Sequence, residues 1–351
     1  MAMQHQYVDR PTGEVRDETL YADRLIKMIY SSARESAPAL FRALTGRRAS
    51  EFLSFMNYDL KLGAKLSGQS KFLRELGIDM SECVDEAAYF DSPRKVFERK
   101  IRYWDCRPMP VDCGVVVSPA DAKVLLGSLS QDSVLFIKEK FFGFEELLGQ
   151  GKTDWLHAFR DGDFAVFRLT PDKYHYNHTP VAGVVRDFYE VPGHYHSCNP
   201  SAVVLLATPY SKNKRTVTVI DTDVPGGTQV GLVAMIEVVA LMIGEVVQAY
   251  SSVEYHLPRP LAVGDFLWRG APKSLYRPGS STDVLLFQAD RMAFDADLVR
   301  NLSRSDAASR FSTGFCVPLV ETDVRVRSSI GRAKTNDADS VILPMRRNCH
   351  A

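Results

Sequence analysis

The segment Leu275–Phe287 (LYRPGSSTDVLLF) places a glycine and two adjacent serines directly before an apolar run. A serine hydroxyl can add to the carbonyl carbon that precedes it when a turn holds the two groups close, and Gly279 leaves its own carbonyl uncrowded. The ester formed in this way can eliminate, which turns the serine into a pyruvoyl group. A Pro-Gly-Ser turn before a strand is also ordinary loop chemistry, so this segment alone does not decide between the two interpretations.

Three further segments with chemically useful residues precede this turn. In chain order they are Val115–Val124 (VVVSPADAKV), Tyr174–Gly183 (YHYNHTPVAG) and His196–Pro200 (HSCNP). Together with the Gly-Ser turn they resemble the phosphatidylserine decarboxylase family, whose motifs run Ser-Pro-Ala-Asp-Gly, Tyr-His-x-x-His-x-Pro, Asn-Pro and Gly-Ser-Thr or Gly-Ser-Ser. The resemblance covers about residues 94 to 330, and four motifs in one order are far more specific than any one of them.

The resemblance implies an α+β protein with a β-rich catalytic domain, preceded by an amphipathic helical region. It also implies a zymogen that cleaves itself and carries a covalent pyruvoyl group in place of a bound cofactor. Such an enzyme is a carboxy-lyase that converts phosphatidylserine to phosphatidylethanolamine and CO2 through a Schiff base. Relatives in this broad family decarboxylate free amino acids, including aromatic ones, which is the alternative for the substrate.

Self-cleavage needs a base, a group that orients the base and an accessible acyl donor. By resemblance, His178 is the base and Asp121 the orienting acid of a processing triad with the serine. Matching the Gly-Ser pair selects Ser280 as the reactive residue, and counting back from the apolar strand selects Ser281. We favour Ser280, because a glycine carbonyl is the least hindered acceptor. Cleavage would then fall between Gly279 and Ser280.

The same resemblance assigns residues to the substrate. It suggests that His175 contacts the substrate and returns a proton to its α-carbon, with His178 continuing as an acid. His196 and Asn199 are candidate pocket residues in the His-Ser-Cys-Asn-Pro segment. That segment departs from the Thr-Val pair that usually precedes Asn-Pro in the family, which puts the composition of the pocket in question.

Composition excludes several other classes of protein. The 351-residue chain contains 43 basic and 43 acidic residues, so no net field attracts nucleic acid. Its six cysteines include no Cys-x-x-Cys pair, which argues against a zinc ribbon and against a secreted disulfide framework. The polar N-terminus lacks the apolar core of a signal peptide, so we expect a cytoplasmic protein with reduced thiols.

Two stretches raise the question of a membrane. Residues 230–247 are apolar enough to suggest a bilayer span, but Glu237 and Glu245 would each cost about 3 kcal/mol at mid-bilayer, so the stretch is expected in the core. Residues 17–75 have apolar side chains at helical spacing with arginines and lysines between them. These helices either pack on the catalytic domain or hold the protein peripherally on the inner face of the cell membrane.

The pattern along the chain predicts a helical region over 1–109, a decarboxylase domain over 110–330 and a polar tail over 331–351. A helix-like run over residues 93–104 ends before Pro108 and Pro110. Beyond it, short apolar strands are expected over residues 115–117, 124–126, 134–137, 164–169, 203–206 and 217–220. The cleaved protomers are expected to form a homo-oligomer.

Two rival functions remain at this point. His175, His178, His194 and His196 form two close pairs that could supply nitrogen ligands to a metal-dependent hydrolase, although no His-Glu-x-x-His motif is present. The other rival is a membrane-surface or scaffold protein that keeps the fold and never matures. Either would be distinguished from the decarboxylase by the absence of cleavage into two chains.

Overall fold

The structure is a computed structural model, and it describes residues 4–20, 78–131, 133, 140–206, 208–240, 245–278 and 281–334. The strands in these residues are β1 (Gln6–Asp9), β2 (Val15–Asp17), β3 (Val115–Val117), β4 (Ala122–Ser128), β5 (Asp163–Leu169), β6 (Tyr176–His178), β7 (Gly183–Val191), β8 (Arg215–Asp221), β9 (Leu232–Val239), β10 (Val246–Gln248), β11 (Phe266–Leu267), β12 (Pro272–Tyr276), β13 (Ser281–Phe287), β14 (Met292–Phe294), β15 (Glu321–Val324) and β16 (Ser329–Ala333). The helices are α1 (Pro93–Phe97), α2 (Tyr103–Cys106), α3 (Phe144–Leu148), α4 (Thr153–Ala158), α5 (Pro200–Leu205), α6 (Pro209–Lys212), α7 (Ala296–Asn301) and α8 (Arg310–Phe315), with short 3-10 helices at Met80–Glu82 and Ala87–Tyr89.

Three sheets organise the described residues. A ten-stranded sheet has the order β11-β7-β8-β9-β13-β5-β4-β15-β1-β2, and two three-stranded sheets have the orders β10-β12-β6 and β14-β16-β3. Neighbouring strands run antiparallel throughout, except that β1 runs parallel to β15. With only short helices around these sheets, the prediction of a β-rich α+β fold is confirmed.

The core is built around β9 and β13 in the middle of the large sheet. Seven residues of β13 pair with β9 on one side and with β5 on the other, and every one of them is buried. Strands covered on both faces are expected to be nearly continuously apolar, which β9 (LVAMIEVV) illustrates. The expectation that residues 230–247 belong to the core is confirmed for residues 230–240, which are buried apart from the partly exposed Leu232, whereas Glu245 is exposed. No helix in the described ranges has the length and apolar character needed to cross a bilayer.

Most of the predicted strands that fall on described residues are present, and one is wrong. Residues 203–206 were expected to form a strand, but Val203 and Val204 lie in helix α5. The local cause is at the N-terminus of the helix, where the Asn199 Oδ1 atom accepts a hydrogen bond from the Ser201 N–H and Pro200 occupies the first turn. Val203 and Val204 suit a strand by type, but the helix that begins at Pro200 includes them.

Helix α5 packs closely on α8 through a glycine. A Cβ atom on Gly314 would lie 2.4 Å from Cγ1 of Val204, so only glycine permits this approach. The helix-like run over residues 93–104 contains parts of two short helices, α1 and α2. They are separated where Ile101 forms a β-bridge with Cys83.

Residues 6–17 form the strand pair β1 and β2, which the sequence pattern did not reveal. β1 and β2 form one edge of the large sheet, where β1 pairs with β15, a strand from the C-terminal part of the chain. The helices expected over 17–75, the strand expected over 134–137 and the tail beyond 334 fall almost entirely outside the described residues. The division of the chain into three parts therefore stays a prediction.

Candidate active site

The strand that leads into the Gly-Ser segment, β12, pairs with the strand that carries the histidine motif. β12 pairs with β6 so that Pro272 lies opposite His178, and the Tyr276 N–H donates to the His175 carbonyl oxygen at 3.1 Å. β13 begins at Ser281. Gly279 and Ser280 themselves lie outside the described residues. The strand that ends just before them is nevertheless hydrogen-bonded to the segment that carries both histidines.

His178 is buried, and its hydrogen bonds define which nitrogen can act as a base. Its Nδ1 atom lies 2.8 Å from the Gly270 carbonyl oxygen, which can only accept, so Nδ1 carries the hydrogen. Its Nε2 atom is then the basic nitrogen, and it accepts from the Tyr174 hydroxyl at 2.9 Å. Burial lowers the pKa of His178 to about 3. The imidazole is therefore neutral and correctly tautomeric for taking a proton at Nε2.

The segment that carries Asp121 is hydrogen-bonded to His178. The His178 N–H donates to the carbonyl oxygen of Pro119, two residues before Asp121, at 2.7 Å. Its carboxylate is bound by the Arg107 guanidinium, with the Nη2–Oδ2 distance 2.7 Å, and by the Val326 N–H at 2.8 Å. Burial is the largest single effect and opposes its ionisation, but the charge and hydrogen bonds of Arg107, with the hydrogen bond from the Val326 N–H, together hold the pKa of Asp121 below its usual range. Its hydrogen bonds within the described residues thus go to Arg107 and Val326, and its charge reaches His178 through space.

His175 is the more isolated of the two histidines. Its ring is fully buried and stacks on Phe97, with the ring centroids 3.5 Å apart. Neither ring nitrogen has a hydrogen-bond partner in the part of the chain that the structure describes. Burial, assisted by the nearby charge of Arg99, lowers the pKa of His175 to about 3. A buried imidazole with both nitrogens unused is expected to serve a group that the described residues do not include.

Ser281 and the His196 segment meet at the start of β13. Ser281 is paired with Val239 in β9, and the side chain of Asn213 donates to the Val239 carbonyl oxygen at 2.8 Å and to that of His196 at 2.9 Å. The Ser281 Oγ atom is fully enclosed and has no hydrogen-bond partner among the described residues. Burial lowers the pKa of His196 to about 4. Asn199 lies at the same end, but its side-chain oxygen caps helix α5.

Several residues of this site gave no signal in the sequence. Arg107, which binds Asp121, lies between Cys106 and Pro108 at the end of helix α2, and no spacing rule connects it with an acid fourteen residues later. The hydroxyl of Tyr255 lies 2.7 Å from the Tyr174 hydroxyl and so adds a second member to the hydrogen-bond chain that ends on His178. Tyr174 was the first residue of a recognised motif, so its proximity to the histidine was the one detectable signal.

The four histidines proposed as metal ligands do not gather into one cluster. Among the described residues, the group of three or more metal-binding side chains with close ligand atoms consists of His5, Glu18 and Glu321. The Arg168 guanidinium already binds both of those carboxylates at 2.6 Å, so it supplies the positive charge that a metal ion would otherwise bring. The geometry gives the hydrolase alternative no support.

Comparison with known proteins agrees with these motifs. The family model for phosphatidylserine decarboxylase matches residues 94–312. A phosphatidylserine decarboxylase proenzyme of Chlamydia trachomatis serovar L2 is 29% identical over 327 residues, which is 93% of this chain and 96% of the relative. That of Fusobacterium nucleatum is 27% identical over 299 residues, covering 84% of this chain and 91% of the relative. That of Bordetella petrii is 30% identical over 227 residues, covering 62% and 76%. The chain belongs to the phosphatidylserine decarboxylase family.

Proposed function

We propose that the protein is a phosphatidylserine decarboxylase that makes its own pyruvoyl group by cleaving the Gly279–Ser280 bond. The observation that carries this proposal is the β-ladder between β6 and β12. It brings His175 and His178 to the strand that ends three residues before Gly279. The arrangement supports an acid–base pair acting on the turn first and on a substrate afterwards.

The residues around the turn fit a pyruvoyl group. Such a group needs a small enclosed space next to β13, hydrogen-bond donors and a nearby proton carrier. The unpartnered Ser281 hydroxyl and the two unpartnered nitrogens of His175 offer these functions in a buried setting. When present, a pyruvoyl group supplies an electron sink that allows an amine-bearing substrate to lose CO2.

Self-cleavage proceeds without any outside oxidant or reductant. The Ser280 Oγ atom bonds to the Gly279 carbonyl carbon as the Gly279–Ser280 C–N bond breaks, which leaves an ester and a free amine. Loss of the α-proton of residue 280 and cleavage of its Cβ–Oγ bond release the Gly279 carboxylate and leave a dehydroalanine. Tautomerisation and addition of one water then give the ketone and ammonia. Ser281 is the second candidate for the same sequence of steps.

His178 takes the serine proton in this scheme. Its Nε2 atom is the basic nitrogen, and the Tyr174 hydroxyl now bonded to it must give way to the serine or pass the proton on. The Asp121 carboxylate, fixed by Arg107, stabilises the positive charge that develops on the imidazole through space. Asp121 is therefore proposed to act electrostatically and not as a direct hydrogen-bond partner of His178.

His175 acts after cleavage. Its unpartnered nitrogens are proposed to contact the substrate and to hold the proton that returns to the α-carbon once CO2 has left. His196 and Asn199 are proposed to line the pocket at the other side of the β13 start, with Asn199 acting mainly by fixing the helix α5 terminus. The low pKa of His175 keeps the ring neutral at rest and means that a proton placed on it is released readily.

Contact with a membrane surface is proposed because the substrate is a phospholipid. The helices expected over 17–75 remain one candidate for this contact. The loop 249–265 between β10 and β11 is another, since Val253, Leu257 and Val263 expose 62%, 91% and 63% of their surface. Tyr255 of this loop connects to His178 through Tyr174, so the loop adjoins the site. A peripheral place on the inner face of the cell membrane and a homo-oligomeric state belong to the same proposal.

The test of the substrate is CO2 release by purified protein. Phosphatidylserine in vesicles, free serine and free aromatic amino acids are offered separately, and the variant carrying both Ser280→Ala and Ser281→Ala is the control. We expect CO2 from the phosphatidylserine vesicles and none from the control. Release from a free amino acid alone would overturn the phospholipid assignment while leaving the pyruvoyl chemistry intact.

A further inference from the structure

A fully buried tyrosine joins the two strands on either side of the cleavable turn, which we define as residues 277–280. The Tyr276 hydroxyl oxygen lies 2.7 Å from Asp283 Oδ1 and 3.1 Å from the Thr282 carbonyl oxygen. Tyr276 is the last residue of β12, and Thr282 and Asp283 belong to the start of β13. None of the three residues has measurable exposure to solvent. The hydroxyl therefore links the end of β12 to the start of β13 in the interior of the protein.

The neighbours of Asp283 indicate that its carboxyl group is neutral. Glu237 lies directly opposite Asp283 in the β9–β13 ladder and already forms a fully buried ion pair with Lys273 at 2.6 Å. Burial, followed by the charge of Glu237, raises the pKa of Asp283 well above its usual range. The Asp283 Oδ2 atom has no hydrogen-bond partner among the described residues, which a buried carboxylate would tolerate poorly.

A neutral Asp283 lets both contacts of Tyr276 be hydrogen bonds at once. A phenol has one hydrogen, and it can donate that hydrogen to the Thr282 carbonyl oxygen. The acid proton of Asp283 can then be donated to the phenol oxygen. The three groups form a continuous hydrogen-bond chain from β12 to the backbone of β13.

The two strands need such a connection because they belong to different sheets. β12 pairs with β6 and β10, whereas β13 pairs with β9 and β5. The backbone hydrogen bonds therefore fix each strand within its own sheet. The position of the end of β12 relative to the start of β13 then depends on side-chain contacts between them. Attack by one group on its neighbour in the chain depends steeply on how closely they are held, and a displacement near 1 Å can cost about 100-fold in rate.

We propose that Tyr276 and Asp283 form a clamp across the cleavable turn that positions the serine hydroxyl against the preceding carbonyl carbon during self-cleavage. The inference rests on the proposed function, because it assigns positioning residues to the cleavage step. The clamp contacts the strands that bracket the reacting atoms. After cleavage it joins the end of one chain to the beginning of the other.

The test measures the rate of self-cleavage in newly made full-length protein on denaturing gels. In Tyr276→Phe the ring stays and the hydroxyl is lost, and we expect cleavage to slow about 10-fold, equivalent to about 1.4 kcal/mol. The matched control is Tyr189→Phe, which also removes a tyrosine-to-carbonyl hydrogen bond, from Tyr189 to the Leu148 carbonyl oxygen, but lies on β7. The control should cleave at the wild-type rate.

Two substitutions of Asp283 separate hydrogen bonding from charge. Asp283→Asn keeps a neutral group that can donate to Tyr276, so its cleavage rate should stay within about threefold of wild type, a change under 1 kcal/mol. Asp283→Leu removes the donor at similar volume and should slow cleavage as much as Tyr276→Phe does. If Tyr276→Phe does not fold, this pair still decides the matter, since a rate for Asp283→Asn as low as that of Asp283→Leu would overturn the clamp.

A purely structural role is separated by the properties of the mature protein. The fraction of Tyr276→Phe that does cleave should decarboxylate with kcat and KM close to wild type, because the clamp acts on the turn and not on the substrate. Parallel loss of cleavage and of kcat would overturn the positioning role, and so would a Tyr276→Phe rate equal to wild type. A wild-type protein that never cleaves would refute the proposed function and the clamp together, whereas normal wild-type cleavage with an unaffected variant would refute the clamp alone.

Discussion

Replacing Arg107 with methionine should expose how strongly the fold depends on its buried ion pair with Asp121. The two side chains expose 6% and 8% of their surface, and the shortest of their contacts is 2.7 Å. Removing one partner of such a pair leaves a buried charge and typically costs 3–5 kcal/mol, about 3 here because Asp121 keeps its bond from the Val326 N–H. For a chain of this size, about 3 kcal/mol corresponds to a fall in Tm of roughly 6 °C.

The loss should depend on pH with a defined sign. In the wild type the pKa of Asp121 is lowered on folding, so the pair contributes stability above the unfolded pKa and loses it as the pH falls through the folded value. Without Arg107, burial is left to raise the pKa of Asp121, so the variant loses stability as the pH rises above about 4. The difference in Tm between wild type and Arg107→Met should therefore be larger at pH 7.5 than at pH 4.5.

The assay is thermal unfolding of both proteins in a background carrying Ser280→Ala and Ser281→Ala, so that every chain stays whole. Adding Asp121→Asn to Arg107→Met should restore part of the lost Tm at pH 7.5, because the uncompensated charge is removed. A Tm loss that is the same at both pH values, or a double variant no better than the single one, would refute the reasoning about this pair.

Three other outcomes are expected from the site. His178→Ala should leave the precursor uncleaved on a denaturing gel, whereas His175→Ala should cleave and then release little or no CO2; normal cleavage of His178→Ala would remove it from the base role. Burial holds the pKa of both histidines at about 3, so their contribution to stability is complete above the unfolded pKa of about 6.5 and is lost as the pH falls from there toward 3. Tm should therefore decline over that pH range, and it should decline less in the two alanine variants. A titration of Tm against pH checks this. Leu257→Ser should weaken sedimentation with phosphatidylserine vesicles, while Val111→Ser, at a residue 99% exposed, should not, and equal binding by both would argue against the loop.

The strands of the core could be predicted because their apolar runs carry local information. The prediction of a strand over residues 164–169 is confirmed. β5 is buried on both faces, so its sequence is almost continuously apolar and does not alternate between apolar and polar residues. The failure over residues 203–206 shows the limit of this signal, because Asn199 and Pro200 start a helix whose valines also suit a strand. The residue types there suit a strand or a helix equally well, and the N-terminal cap at Asn199 favours the helix.

Long-range partners could not be predicted from the sequence alone. β1 pairs with β15 across nearly the whole length of the chain, and no periodicity indicates that match. The same holds for Arg107 with Asp121 and for Tyr276 with Asp283, since each pair is created by sheets that bring distant or opposed segments together. Family motifs suggested the candidate reactive residues, and only the fold revealed that Arg107 binds Asp121 and that Tyr276 binds Asp283.

The most direct test of the central claim is the intact mass of purified, active protein under denaturing conditions. We expect two chains, one ending at Gly279 and one comprising residues 280–351 with a ketone in place of its N-terminal amine, so that the second chain resists Edman degradation. A single uncleaved mass from protein that releases CO2, with an unmodified serine at positions 280 and 281, would contradict the account.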